Sequence, residues 1–155
     1  MTHLSPPLAE TVANRHGLIT TGELVADGWS PTQIRGLIES RTVVRCHSGV
    51  YRFATSLETF ESRCAAACLA DSSTVVAGTA AGYLWQFRII RQPEAPIVMF
   101  EHDRNPLSRG VVRRRTNVLD EVDRVRRSDG IVVASPSRAW FDCARDLSDE
   151  NFEAL

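Results

Sequence analysis

Apolar residues in the first third of the chain recur in short bursts at helical spacing, separated by glycine, proline and small capping residues. Between Pro7 and Arg15, Leu8 and Val12 stand four apart and predict a first helix, closed by Gly17. Leu18-Ile19 then enters the core as a short extended piece. Thr21 is placed to cap a second helix ending near Ala26, with Gly28 just beyond. The strongest start signal is Ser30-Pro31 with Gln33 three residues after the serine, a capping box with proline at the first helical position. Ile34, Leu37 and Ile38 form the buried stripe of this third helix, leaving Thr32, Gln33, Arg35, Gly36 and Glu39 on its outer face. Two β-prone runs follow, Thr42 to Cys46 and Gly49 to Phe53, around the turn-like His47-Ser48-Gly49. Helix, turn, helix and a basic hairpin predict a winged helix-turn-helix over residues 1–55; the plainer alternative is a small α+β packing unit.

The rest of the chain alternates helical and extended patterns, predicting a second, mixed α+β domain over 56–155 and an α+β fold as a whole. Ala54-Thr55-Ser56 reads as a linker and the cap of a helix over Leu57 to Ala70, with Leu57, Phe60, Cys64, Ala67 and Cys68 inward. Thr74 to Ala77 is β-prone, and Gly78-Thr79 opens a helix through AAGYLWQF. Ile97 to Phe100, Gly110 to Arg115 and Gly130 to Ala134 read as strands. Ser135-Pro136 starts a last helix with Ala139, Trp140, Cys143 and Ala144 inward. Asn151 to Leu155 resembles the opening of another helix without terminal punctuation, so a truncated or excised product is expected.

Charge changes the picture more than composition does. The 155 residues carry a net charge of −1, yet the basic residues are unevenly placed. Ser30 to Phe53 holds Arg35, Arg41, Arg45 and Arg52 against Glu39 alone, Arg104 to Arg127 holds eight arginines against three carboxylates, and Ser128 to Leu155 is acidic. Local fields of this kind, rather than net charge, steer a polyanion. All eighteen basic residues are arginine, as expected from a GC-rich codon bias. The absence of lysine excludes a Walker A phosphate loop, covalent lysine catalysis and the usual lysine-containing carboxylate nuclease core. No apolar run is long enough to span a membrane and the first residues lack a signal-peptide core, so a cytoplasmic protein with reduced thiols at Cys46, Cys64, Cys68 and Cys143 is expected.

Candidate DNA-binding residues cluster at the third helix and the hairpin. Ser30, Thr32, Gln33 and Arg35 form the N-terminal end of the helix that would enter a major groove, where Gln33 suits adenine and Arg35 guanine. Gln33 cannot fully serve both as capping partner and as base reader. Arg41, Arg45 and Arg52 suit phosphates, unless they only keep a solvated hairpin soluble. His47 at the hairpin tip either touches a phosphate or has no role. On the predicted strand of Arg113, Arg114 and Arg115, the first and third share one face, giving either a second basic surface or a solvated strand. Arg138 and Asp142, four apart on a helix, are read as a structural ion pair. Cys64 and Cys68 share a helical face, but with only Cys46 and His47 as further ligands they make a poor zinc site. Glu101-His102-Asp103 lacks an activated nucleophile. No catalytic residue, metal or cofactor is therefore expected.

Three segments carry a family resemblance: HGLITTGELVADGWSPTQIRGLIESRTVVRCHSGVYRF at 16–53, VVAGTAAGYLWQF at 75–87 and DGIVVASPSRAWFDCARDL at 129–147. The last contains a Ser-Pro-x-Arg-x-x-x-Asp arrangement in Ser135, Pro136, Arg138 and Asp142. In this order they resemble the AbiEi family of bacterial antitoxins and related regulator-like proteins. The resemblance implies an N-terminal winged helix that binds operator double-stranded DNA and represses its own operon, as a dimer or on repeated half-sites. It also implies a following domain that helps neutralise a nucleotidyltransferase-like toxin. Gly36 and Glu39 make the third helix less basic than is usual in that family. Related proteins continue further, some into a restriction-endonuclease-like domain. That leaves two alternatives open: the front part of such a nuclease, or a protein-docking module.

Overall fold

The computed structural model describes residues 3–101, 110–116 and 118–147. His102 and Asp103, and the helix expected at 151–155, lie outside the described residues. The chain runs α1 (Pro6–Asn14), β1 (Leu18–Thr20), α2 (Thr21–Ala26), α3 (Pro31–Glu39), β2 (Val43–His47), β3 (Val50–Phe53), α4 (Phe60–Ala70), β4 (Val75–Val76) and α5 (Gly78–Leu84). It continues through β5 (Ile97–Glu101), β6 (Val112–Thr116), a 3-10 turn (Glu121–Asp123), β7 (Arg124–Arg126), β8 (Val132–Ala134) and α6 (Pro136–Cys143). This is a mixed α+β fold with six helices and two sheets among the described residues.

The first sheet, of order β1-β3-β2, is antiparallel throughout, pairing Leu18 with Arg52 and Val44 with Arg52 across its width. One face packs on α1–α3 through Val12, Ile19, Leu24, Trp29, Ile34, Val43 and Tyr51. The capping box of α3 forms as expected: the Ser30 hydroxyl accepts from the Gln33 amide at 3.3 Å, and Gln33 Oε1 accepts from the Ser30 amide at 2.8 Å. The cap of α2 is Thr20 rather than Thr21, because Glu23 stands three residues after it and closes a second box on the Thr20 amide. Within α3 the stripe is narrower than expected. Ile34 is buried and Leu37 half-buried, but Ile38 is exposed.

The second sheet, of order β6-β5-β4-β8-β7, mixes parallel and antiparallel pairs. The Arg-Val-Arg sequence of β7 does not predict a strand; β7 forms by antiparallel pairing with β8. α4 starts at Thr59, whose hydroxyl accepts from the Ser62 amide, not at Ser56, and Leu57 stays exposed before it. α4 is buried nearly all round, and its run of Ala65, Ala66 and Ala67 lets it pack against all three strands of the first sheet and against β4 of the second. Leu18 and Val50 consequently share a core with Phe60, Cys64, Val75, Val133 and Ala139. Strand alternation then orders the far side: Val98 packs with Ala67 of α4, whereas its neighbour Met99 meets Arg138 of α6. In α6, Ala139 and Cys143 face inward as expected, but Trp140 and Ala144 are exposed and the buried polar position is Asp142.

One glycine fixes the entry to this arrangement. Gly17 closes α1 with φ 72°, its amide donating to the Val12 carbonyl at 2.9 Å, and a Cβ there would overlap the Ser56 side chain.

Candidate nucleic-acid interface

Helix α3 is built to be presented. Its two-way cap and Pro31 fix the first turn, Ile34 holds it to the core, and Thr32, Gln33, Arg35, Gly36 and Glu39 all stand exposed. Gln33 engages its carbonyl oxygen in the cap. The helix ends at Ser40, and Arg41 turns the chain with φ 58° into β2 while its side chain stays exposed. Arg45 is exposed on the hairpin, its Nε donating only weakly to the His47 carbonyl at 3.4 Å.

Two of the residues expected at this surface sit differently. Arg52 is 8% exposed, because β3 alternates and Val50 and Arg52 point to the α4 side while Tyr51 and Phe53 point to α1–α3. Its guanidinium donates to the Ser56 and Phe53 carbonyls and to Glu58 Oε2 at 3.2 Å. In this position Arg52 ties the hairpin to the turn before α4. His47 is half-buried, and burial holds its imidazole below the usual range near 6.5, so it carries little charge at neutral pH.

The strand of three arginines follows the expected alternation. Arg113 and Arg115 are exposed on β6, while Arg114 is turned inward and donates to Asp146 at 2.6 Å. That ion pair lies over the start of α5, where Gly78 has φ 56° and a Cβ would stand 3.1 Å from Arg114 Nη1. Arg138 forms the ion pair expected with Asp142, its Nε donating at 3.2 Å, and goes further: Nη1 bonds Asp123 and the Val118 carbonyl, and Nη2 reaches Thr116 and Met99. Sequence spacing reveals only the Asp142 part of this network, since Asp123 and Thr116 come from elements far away in the chain.

The cysteines are spread through the core. Burial raises the thiols of Cys68 and Cys143 to about 11 and pushes Cys64 up as well, which leaves all three protonated. Cys46 is also raised by burial. Among the described residues, no group of three or more His, Cys, Asp or Glu side chains is placed to hold a metal ion, and no helix is long and apolar enough to cross a membrane.

Among solved structures, the RV2827C protein from Mycobacterium tuberculosis is similar to this chain, with a TM-score of 0.59 at 15% sequence identity over 99% of this chain and 72% of that one. At that identity the likeness speaks for the fold alone. Neither a protein-family model nor a curated protein matches the chain.

Proposed function

We propose that this chain is a DNA-binding regulator of the antitoxin type, in which α1 to β3 work as a winged helix on operator DNA. The observation that carries this reading is the exposed outer face of α3, doubly capped at its start and continuous through the exposed Arg41 with the hairpin bearing Arg45. Thr32, Gln33 and Arg35 supply the base-reading chemistry, and Arg41 and Arg45 the phosphate contacts. Arg52 serves the interface from beneath, by tying the hairpin to the turn before α4. The test is a titration of purified protein against a labelled fragment of its own upstream DNA, at low and moderate salt, with scrambled competitor. Competitor-resistant binding that weakens with salt is expected. Equal affinity after Arg35, Arg41 and Arg45 are all changed to alanine would overturn the reading.

A protein partner, such as a cognate toxin, is favoured by a separate observation. Val118, Val122, Trp140 and Phe141 are 58%, 81%, 46% and 67% exposed around the Arg138 network. Their elements are joined by Arg138, whose Nη1 donates to the Val118 carbonyl and to Asp123, and contiguous apolar patches on a surface mark protein contacts. Co-purification with the neighbouring gene product, abolished in Phe141→Ser, is the expected result; retention at full strength would remove this second reading.

A further inference from the structure

Beneath the hairpin, between β2, β3 and the outer side of α4, lies a cavity of about 190 Å³. Its walls carry three arginines, Arg45, Arg52 and Arg63, and one carboxylate, Glu58. Glu58 is paired with Arg52 at 3.2 Å, but its side chain is 62% exposed, so it offsets little beyond that one charge. Arg52 is itself buried, and its Nε is buried with no hydrogen-bond partner, an arrangement that costs free energy in a folded protein. Arg63 uses Nη1 on the Glu94 carbonyl at 2.9 Å, and Arg45 uses Nε on the His47 carbonyl; each guanidinium has further donors. Like charges gathered around a half-enclosed space repel one another, and an anion placed among them relieves that repulsion. The remaining wall is apolar, formed by Val44, Ala66 and Val111.

We propose that this cavity binds a small organic acid, its carboxylate held by Arg45 and Arg63 above Arg52 and its apolar body lying against Val44, Ala66 and Val111. The planar fork of a guanidinium matches a carboxylate edge to edge. The apolar wall disfavours a bare inorganic anion, which would leave Val44, Ala66 and Val111 facing water. A cavity of about 190 Å³ has room for a body the size of one aromatic ring, since a water takes roughly 30 Å³ of liquid volume. The site shares Arg45 with the proposed DNA interface, but Arg63, Ala66 and Val111 belong to the cavity alone, so its failure is read from benzoate binding without DNA.

The test is an amide-resolved NMR titration of the full chain with benzoate, with benzamide as the neutral isostere and inorganic phosphate at matched ionic strength. Saturable shifts at Cys46, Ala66 and Val111 are expected with benzoate. Benzamide and phosphate are expected to bind at least about tenfold more weakly, as the loss of a charge-assisted hydrogen bond implies. Arg63→Gln and Arg45→Ala should each weaken benzoate by about tenfold. Arg45 is exposed, so its alanine variant should melt like the parent protein and report on binding rather than folding. Absence of saturation, equal binding of benzamide or phosphate, or unchanged benzoate affinity in both arginine variants would overturn the proposal.

Discussion

The β2–β3 hairpin and the edge strand β6 are both rich in arginine, and each directs only part of that charge outward. In the hairpin Arg45 is exposed, whereas Arg52 is turned toward α4 and engaged with Ser56, Phe53 and Glu58. In β6, Arg113 and Arg115 are exposed, whereas Arg114 is turned toward Asp146. The period of two along a strand assigns these fates, so neighbouring arginines that look alike in sequence do different work. An inward guanidinium binds one element of the fold to another. An outward one, such as Arg45 or Arg113, presents its charge to solvent. The number of arginines in a segment therefore overstates the charge it can offer to DNA.

The sharpest way to break this comparison is Arg52→Ala. It removes hydrogen bonds from a buried charged donor to half-buried carbonyls and is expected to cost about 2 kcal/mol in urea unfolding. The folded fraction should keep its affinity for DNA; a variant that stays fully stable and no longer binds DNA would reverse the roles assigned to Arg52 and Arg45. Next in size is the triple change of Arg35, Arg41 and Arg45 to alanine. It should leave stability within about 0.5 kcal/mol, as for other exposed sites. Affinity for upstream DNA at moderate salt should fall roughly tenfold to a hundredfold, and the salt slope should become shallower by about one for each phosphate no longer neutralised. In β6 the contrast is smaller. Arg114→Ala should cost about 1 kcal/mol, because the pair with Asp146 is only partly screened, while Arg113→Ala should leave the unfolding midpoint in place. Equal destabilisation at both positions would show that alternation does not decide their roles.

How much of this is legible in the sequence depends on whether the information is local. The capping box of Ser30 and Gln33, the hairpin around Ser48, the alternation in β6 and the Arg138–Asp142 pair all follow from neighbours within four residues, and all are found. Arg52 is misplaced by sequence reasoning because its partners depend on what covers the sheet, and that is α4, a helix from the other half of the chain. Trp140 is expected inward but lies exposed, because helical periodicity groups apolar residues without saying which side of a short helix meets the core. β7 is hidden because a short Arg-Val-Arg run becomes a strand only through pairing with β8. The cavity under the hairpin is illegible for the same reason: its walls come from β2, β3, α4 and the residues leading into β6.

The smallest effect concerns a third inward arginine, Arg15, whose Nη2 bonds both oxygens of Glu23 at 2.7 Å. Burial pushes the Glu23 carboxyl up, but hydrogen bonds from Arg15 and Thr20 outweigh it and hold the group below its ordinary value of 4.5. A carboxyl whose folded value is depressed contributes stability that is fully present above its unfolded value and is lost as pH falls through the folded one. Glu23→Gln is the discriminating change, because glutamine at this position preserves the capping box with Thr20 and removes only the charge. Urea unfolding between pH 6 and pH 3 should show the parent protein more stable than Glu23→Gln by at most about 1 kcal/mol at the upper end, after allowing for solvent screening. The difference should shrink as pH drops below 4.5. A difference that stays constant over that range would mean that Arg15 acts on Glu23 through packing alone, and that inward arginines in this fold hold their partners by shape rather than by charge.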